Sequence, residues 1–143
     1  MTFQAKLRYR FGDIDDAGIA YYPKLMHYFH CAFEDWWSDG LGHSYAKLMH
    51  DDKLGFPAVK VEAEFFAPVF YGDEPVVHLG VLRIGGASVT IGFWMTKEGS
   101  DKPLCRARIV TASVDMDTMK KREHEFSDFH DITIFSGTFN VNA

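Results

Sequence analysis

The chain opens on an alternation. Phe3, Ala5, Leu7, Tyr9 and Phe11 take turns with Gln4, Lys6, Arg8 and Arg10. A period of two predicts a strand with one buried face. The rhythm stops at Gly12 to Gly18, where acids and glycines predict a loop. Pro23 then stands at a favoured first helical position. Beyond it Leu25, Met26, Tyr28, Phe29, Ala32, Phe33, Trp36 and Trp37 recur at helical spacing. The apolar stripe is wide, which predicts a helix buried on most of its sides. Asp39-Gly40 ends it, and a short second helix is expected over Ser44 to His50.

The remainder reads as strands. Val59, Val61, Ala63, Phe65 and Ala67 alternate with Lys60, Glu62, Glu64 and Phe66, and Pro68 stops further pairing. Tyr71-Gly72-Asp73 is a turn, and Val76 to Ile84 is a strand partly apolar on both faces. Gly85-Gly86 is a hairpin signal. Val89, Ile91, Phe93 and Met95 alternate with Ser88, Thr90 and Gly92, and Glu98 to Pro103 is a polar turn. Leu104 to Met116 reads as the last long strand. Its apolar phase slips from Cys105/Ala107/Ile109 to Val110/Ala112/Val114/Met116, which predicts a bulge. One strand, one apolar helix and then strands joined by short turns predict an α+β fold, with an antiparallel sheet wrapped around the helix. Lys60, Glu62 and Glu64 then lie on the solvated face. With no repeat or linker, residues 1–143 read as a single domain. The 118–143 tail is either a further strand or an arm docking on a neighbour.

Composition narrows the class. A chain of 143 residues matches the roughly 150 expected of one domain. Its 13 Phe, 6 Tyr and 3 Trp are enough to fill a core, so disorder is excluded. The balance of 15 basic to 20 acidic residues, net −5 with no Lys/Arg run longer than Lys120-Lys121-Arg122, argues against nucleic acid or anionic membrane as partner. Cys31 and Cys105 stand apart among apolar residues. They read as buried, reduced thiols of a cytoplasmic protein. The charged N-terminus lacks the apolar core of a signal peptide. No run reaches the ~18 apolar residues of a membrane span.

The segment Gly12-Asp13-Ile14-Asp15-Asp16-Ala17-Gly18-Ile19-Ala20-Tyr21-Tyr22-Pro23 carries the candidate chemistry. It can be a solvated turn whose acids complement the positive end of the helix dipole. It can be the start of a calcium loop, but that loop needs a bidentate Glu at its twelfth position, and the twelfth residue from Asp13 is Lys24. Or Asp15 is a catalytic carboxylate just ahead of a helix whose free N–H groups hold an oxyanion. That last arrangement suits acyl transfer.

FGDIDDAGIAYYPKLMHYF resembles the opening motif of the 4-hydroxybenzoyl-CoA thioesterase branch of the hotdog-fold acyl-CoA thioesterases. There a strand, G-D-x-D-x-x-G-I/V and two aromatic or His positions lead into a central helix. The likeness continues through FPAVKVEAEFFAPVFYGDEPVVHLGVLRIGGASVTIGFWM and LCRARIVTASVDMDTMK, so that it spans residues 6 to about 121. The resemblance implies a hotdog fold and an acyl-CoA substrate. It implies an assembly of at least two copies, a homodimer or homotetramer, and no metal or redox cofactor. It makes Asp15 the nucleophile or general base, and the N–H of Tyr22 the donor to the thioester carbonyl. With that reading, Tyr21, Pro57 and Val59 are candidates for the walls of the acyl site. Ser88 keeps a small hydroxyl position. Four departures follow from the same likeness. Asp16 stands where Pro or Ala is frequent, and Tyr22 where many members have His. His30 replaces a Glu or Asp on the central helix, at a position that can face the acyl pocket. Gly85-Gly86-Ala87 replaces basic residues that meet CoA phosphates. The 4-hydroxybenzoyl group is therefore not carried over as the substrate.

Other patterns read as structure. His27 and His30 lie on adjacent helical positions, a metal-capable spacing with no acid or Cys at the usual follow-up spacing to complete it. Phe29, Phe33, Trp36 and Trp37 read as core, with some rings also lining the acyl tunnel. Lys120-Lys121-Arg122 is a solvated strand end or a contact for CoA phosphates. No G-x-S-x-G elbow or dinucleotide fingerprint is present. Three alternatives to a thioesterase remain: a non-catalytic acyl-CoA binding or sensing domain, a hotdog dehydratase or hydratase, and an interaction protein whose acidic loop only caps a helix. The dehydratase needs a His beside the acid, and residues 12–23 contain none.

Overall fold

The computed structural model describes residues 2–122. Five strands form one antiparallel sheet: β1 (Phe3–Lys6), β3 (Ala58–Phe65), β4 (Pro75–Ile84), β5 (Ser88–Lys97) and β6 (Pro103–Ala112). Their order is β1-β4-β5-β6-β3, so β1 and β3 are the edges. Helix α1 (Tyr22–Asp35) packs on one face, as the alternation and the helical stripe predict. Paired positions explain why that face is apolar. Ala5, Val77, Met95 and Cys105 lie on one rung, and Leu79, Phe93 and Ala107 on the next. The small Ala107 leaves room for Phe29, which is fully buried and stacks on Phe93 with ring centroids 5.4 Å apart. On the opposite face Lys60 pairs with Glu62 at 2.8 Å, and Arg106 lies 3.6 Å from Glu64.

Helix α1 runs on into one wider turn, Trp36–Gly40, closed by a Leu41 N–H to Trp36 carbonyl bond of 2.9 Å. Gly40 is required there, because a Cβ would stand 2.9 Å from the Trp36 ring. Helix α2 (Tyr45–His50) follows, capped by the Ser44 hydroxyl, which accepts from the Lys47 N–H at 3.2 Å. No helix among the described residues is long and apolar enough to cross a membrane.

Several sequence expectations need correction. The first strand stops at Lys6 rather than Phe11, because the next residue faces Pro75, which has no N–H to return the Leu7 N–H bond. Helix α1 is not buried on most sides. Leu25, Tyr28, Phe29, Ala32 and Phe33 face the sheet, while Lys24, His27 and His30 are exposed. The phase slip after Ile109 is not a bulge in one long strand. Strand β6 ends at Ala112, and the chain leaves the sheet to form β7 (Val114–Asp115), paired with β2 (Leu54–Gly55) in a separate two-stranded ribbon. Cys105 is buried, but Cys31 is only half-buried. In the basic cluster, Arg122 is tied inward. Its guanidinium donates to the Asp52 carbonyl at 2.6 Å and its N–H to the Ser113 carbonyl at 2.9 Å. The strand-or-arm expectation for the tail falls, beyond residue 122, outside the described residues.

Candidate active site

The acidic loop is a small, pinned hairpin. Ile14 bridges Ala20, and Ile19 bridges Phe70. At its tip the Gly18 N–H donates to the Asp15 carbonyl at 3.0 Å, with Gly18 at φ 78°, a conformation that favours glycine. The Asp15 N–H returns to the Ile19 carbonyl at 3.0 Å. Asp15 is half-buried and its Oδ1 accepts from the Ala17 N–H at 2.8 Å. Its Oδ2 has no hydrogen-bond partner among the described residues. The loop rests on the segment before the Tyr71-Gly72-Asp73 turn through the Ala20 N–H, which reaches the Val69 carbonyl at 2.8 Å. The acidic loop and the segment leading into that turn thus meet in space.

Asp13 is the anchor. Its Oδ2 accepts from the Arg10 N–H at 3.0 Å and from the Tyr28 hydroxyl. Its carbonyl accepts from the Tyr9 hydroxyl at 2.7 Å and the Tyr21 N–H at 3.4 Å. Burial would raise its pKa, but the Tyr28 hydroxyl, the Arg10 N–H and nearby Lys24 and His27 outweigh it and hold the carboxyl below its ordinary value. Tyr9 is pushed up to about 12, by burial first and then by Asp13 and Asp15. Tyr28 is raised as well, by burial first and then by Asp13. Both phenols are therefore donors at neutral pH.

The start of α1 leaves one donor open. The Lys24 and Leu25 N–H groups turn back to the Tyr21 carbonyl at 2.8 and 3.4 Å, and Pro23 has no N–H. The Tyr22 N–H has no partner among the described residues. One turn further along the same helical face, Met26 begins the wall of a cavity of about 380 Å³ between α1 and the sheet. Met26, His30 and Phe33 line it from the helix, Pro57 and Val61 from the β3 side, and Thr111 from β6. The lining is mainly apolar, with His30 and Thr111 as its titratable or hydroxyl-bearing members.

Over residues 9–131 the chain matches the family described as the thioesterase-like superfamily. It belongs to that family. A 1,4-dihydroxy-2-naphthoyl-CoA hydrolase of Gloeothece citriformis is 27% identical over 122 residues, which cover 83% of this chain and 82% of the relative. Among solved structures, a thioesterase-superfamily protein from Jannaschia superposes with a TM-score of 0.82 at 24% identity, covering 92% of this chain and 90% of that one. A 1,4-dihydroxy-2-naphthoyl-CoA thioesterase from Synechocystis gives 0.77 at 23% identity, covering 86% and 89%. These superpositions establish the hotdog fold.

Against this family frame, the predicted site residues separate into groups. Asp15 and Tyr22 bracket the loop that feeds α1. His30 and Pro57 share the cavity. Tyr21 is the exposed N-cap residue, its ring 5.4 Å from that of Tyr22, and it does not line the cavity. Val59 sits at the irregular start of β3, 63% exposed and outside the cavity, because the register shift between Ala58 and Lys60 turns it away. Ser88 closes the β4–β5 hairpin, accepting the Gly85 N–H at its carbonyl at 2.8 Å, and is also no part of the cavity. His27 and His30 do not converge. His27 Nε2 lies 3.5 Å from the Cys31 sulfur, whereas His30 lies 3.4 Å from Glu34. Asp16 is exposed. Sequence reasoning missed Asp13, Tyr28 and Thr111. The readable clue for the first two was a phenol within a buried stripe, whose hydroxyl needs a partner.

Proposed function

We propose that the chain is an acyl-CoA thioesterase, hydrolysing a CoA thioester to a free acid and CoA. Thioester hydrolysis is the activity in the names of its curated relatives, and the family membership points the same way. The reading rests on one observation: the unpaired Tyr22 N–H stands at the start of a half-buried helix, and the loop entering that helix presents the open Oδ2 of Asp15. A thioester carbonyl at that N–H gains a donor and the positive end of the helix dipole as its oxygen becomes negative. The Asp15 carboxylate then takes a proton from water as the water attacks the carbonyl carbon, or attacks that carbon itself to give an anhydride that water opens. In both routes the tetrahedral intermediate expels CoA thiolate.

The acyl group runs from Tyr22 along the helical face of Met26 into the cavity, whose size falls within the ~300–1,000 Å³ of small-molecule sites. Relatives named for a dihydroxynaphthoyl ester favour a bulky, flat acyl group here, with His30 and Thr111 available to a ring hydroxyl. The likeness to the 4-hydroxybenzoyl branch supports the loop chemistry and not that substrate. The site is completed by a homodimer or homotetramer built on the β3 edge.

Asp15→Asn tests this. Assayed over CoA esters from acetyl through benzoyl and naphthoyl to palmitoyl, it should fold normally and lose about 10²–10⁴ in turnover, the range of a general base. Undiminished hydrolysis would overturn the mechanism. Acyl-CoA binding without turnover by the unaltered protein would favour the non-catalytic binding domain.

A further inference from the structure

We propose that Asp13 is the positioning residue of this site, and that Tyr28 is the strut through which α1 sets the loop. The inference rests on the role of Asp15 proposed above. The four groups bound to Asp13 come from three places: Tyr9 and Arg10 follow β1, Tyr21 caps the helix, and Tyr28 lies almost two turns inside it. Tyr28 is 6% exposed and meets the Tyr9 ring edge-on at 5.9 Å, so its hydroxyl has little freedom to move. Asp15 is two residues from this junction, and Tyr22 is the residue after Tyr21. The Asp13 side chain therefore ties the loop to Arg10 and to Tyr28 of the helix, while its carbonyl takes the Tyr21 N–H beside Tyr22. The loop's other tether, the Ala20 N–H on the Val69 carbonyl, holds its outgoing arm to the segment before Tyr71 and does not involve the Asp13 side chain.

Both side-chain bonds of Asp13 arrive at one oxygen, Oδ2. The geometry separates charge from position. An Asn can place its carbonyl oxygen at the Oδ2 site and keep both bonds, while an Ala keeps neither. A positioning role predicts that Asp13→Asn retains most of the turnover and that Asp13→Ala loses it. A displacement of about 1 Å costs on the order of 10²-fold in rate. Tyr28→Phe, which removes the helix half of the strut, should fall between them.

The experiment measures kcat and KM for the unaltered protein, Asp15→Asn, Asp13→Asn, Asp13→Ala and Tyr28→Phe. It uses the best ester of the panel, at a temperature where unfolding curves show every variant folded. The expected result is a kcat loss of about tenfold or more for Asp13→Ala, with KM changed less than threefold, and rescue in Asp13→Asn. Equal kcat for Asp13→Ala and the unaltered protein overturns the inference, as does an equal loss in Asp13→Asn. Full activity in Asp15→Asn overturns the underlying mechanism instead, so the two failures are distinguishable. Should Asp13→Ala not fold, the comparison of Tyr28→Phe with Asp13→Asn decides: unchanged kcat in Tyr28→Phe sinks the strut.

Discussion

At the scale of single residues, partners decide what a titratable group does. Asp13 and Asp15 are two positions apart in one acidic loop, yet the first takes donors from Arg10 and from Tyr28 of the helix, and the second takes one from Ala17 in its own loop. A carboxylate bonded across segments organises structure, and one bonded only within its loop keeps an oxygen free to accept a proton. His78 offers a separate case. It stacks on Trp94 with centroids 5.1 Å apart, and its Nε2 lies 2.9 Å from the Thr96 hydroxyl. Burial holds its pKa below the ordinary 6.5. The unfolded chain therefore binds a proton here at a higher pH than the folded one. Stability from this group is complete above pH 6.5 and declines as the pH falls from there through the lower folded value. His78→Gln should flatten that slope, read as urea midpoints between pH 5 and about 7.5. An unchanged slope would mean that other groups carry it.

At the scale of elements, α1 joins packing to chemistry. Its inward side is held by Phe29 on Phe93, and its N-terminus supplies the open Tyr22 N–H. Phe29→Ala should cost about 3–5 kcal/mol in chemical unfolding, as expected for an aromatic lost from a closed core. A loss below ~1 kcal/mol would show that Phe93 and Ala107 collapse into the space. The strand pattern was largely legible, because alternating side chains report the buried face directly. The final strand misled the reading. Alternation describes which face a residue shows but not which sheet it joins, so the move from β6 to β7 looked like a slip within one strand. The helix misled it differently. A stripe this aromatic predicts burial on most sides, whereas Lys24, His27 and His30 remain on an open face.

At the scale of the molecule, β3 is one of the two sheet edges, and Val59 and Val61 are 63% and 50% exposed there. An unpaired apolar edge invites pairing with another strand. The proposed assembly uses this edge, so Val59→Lys, which lies outside the cavity, should shift the protein to monomer in light scattering and leave its circular dichroism unchanged. An unaltered mass would place the interface elsewhere.

The sequence by itself determined the antiparallel sheet around one helix, the turn positions and the loop in which Asp15 stands. These follow from periodicity and from residues with special backbone preferences, both of which are local. Only the tertiary structure decided that Asp13 is an anchor and Asp15 open, that Pro57 reaches the cavity while Val59 and Ser88 do not, and that Tyr28 braces the loop. Those facts depend on contacts between segments far apart in the chain. Hydrogen bonds across that distance leave no period in the sequence to read.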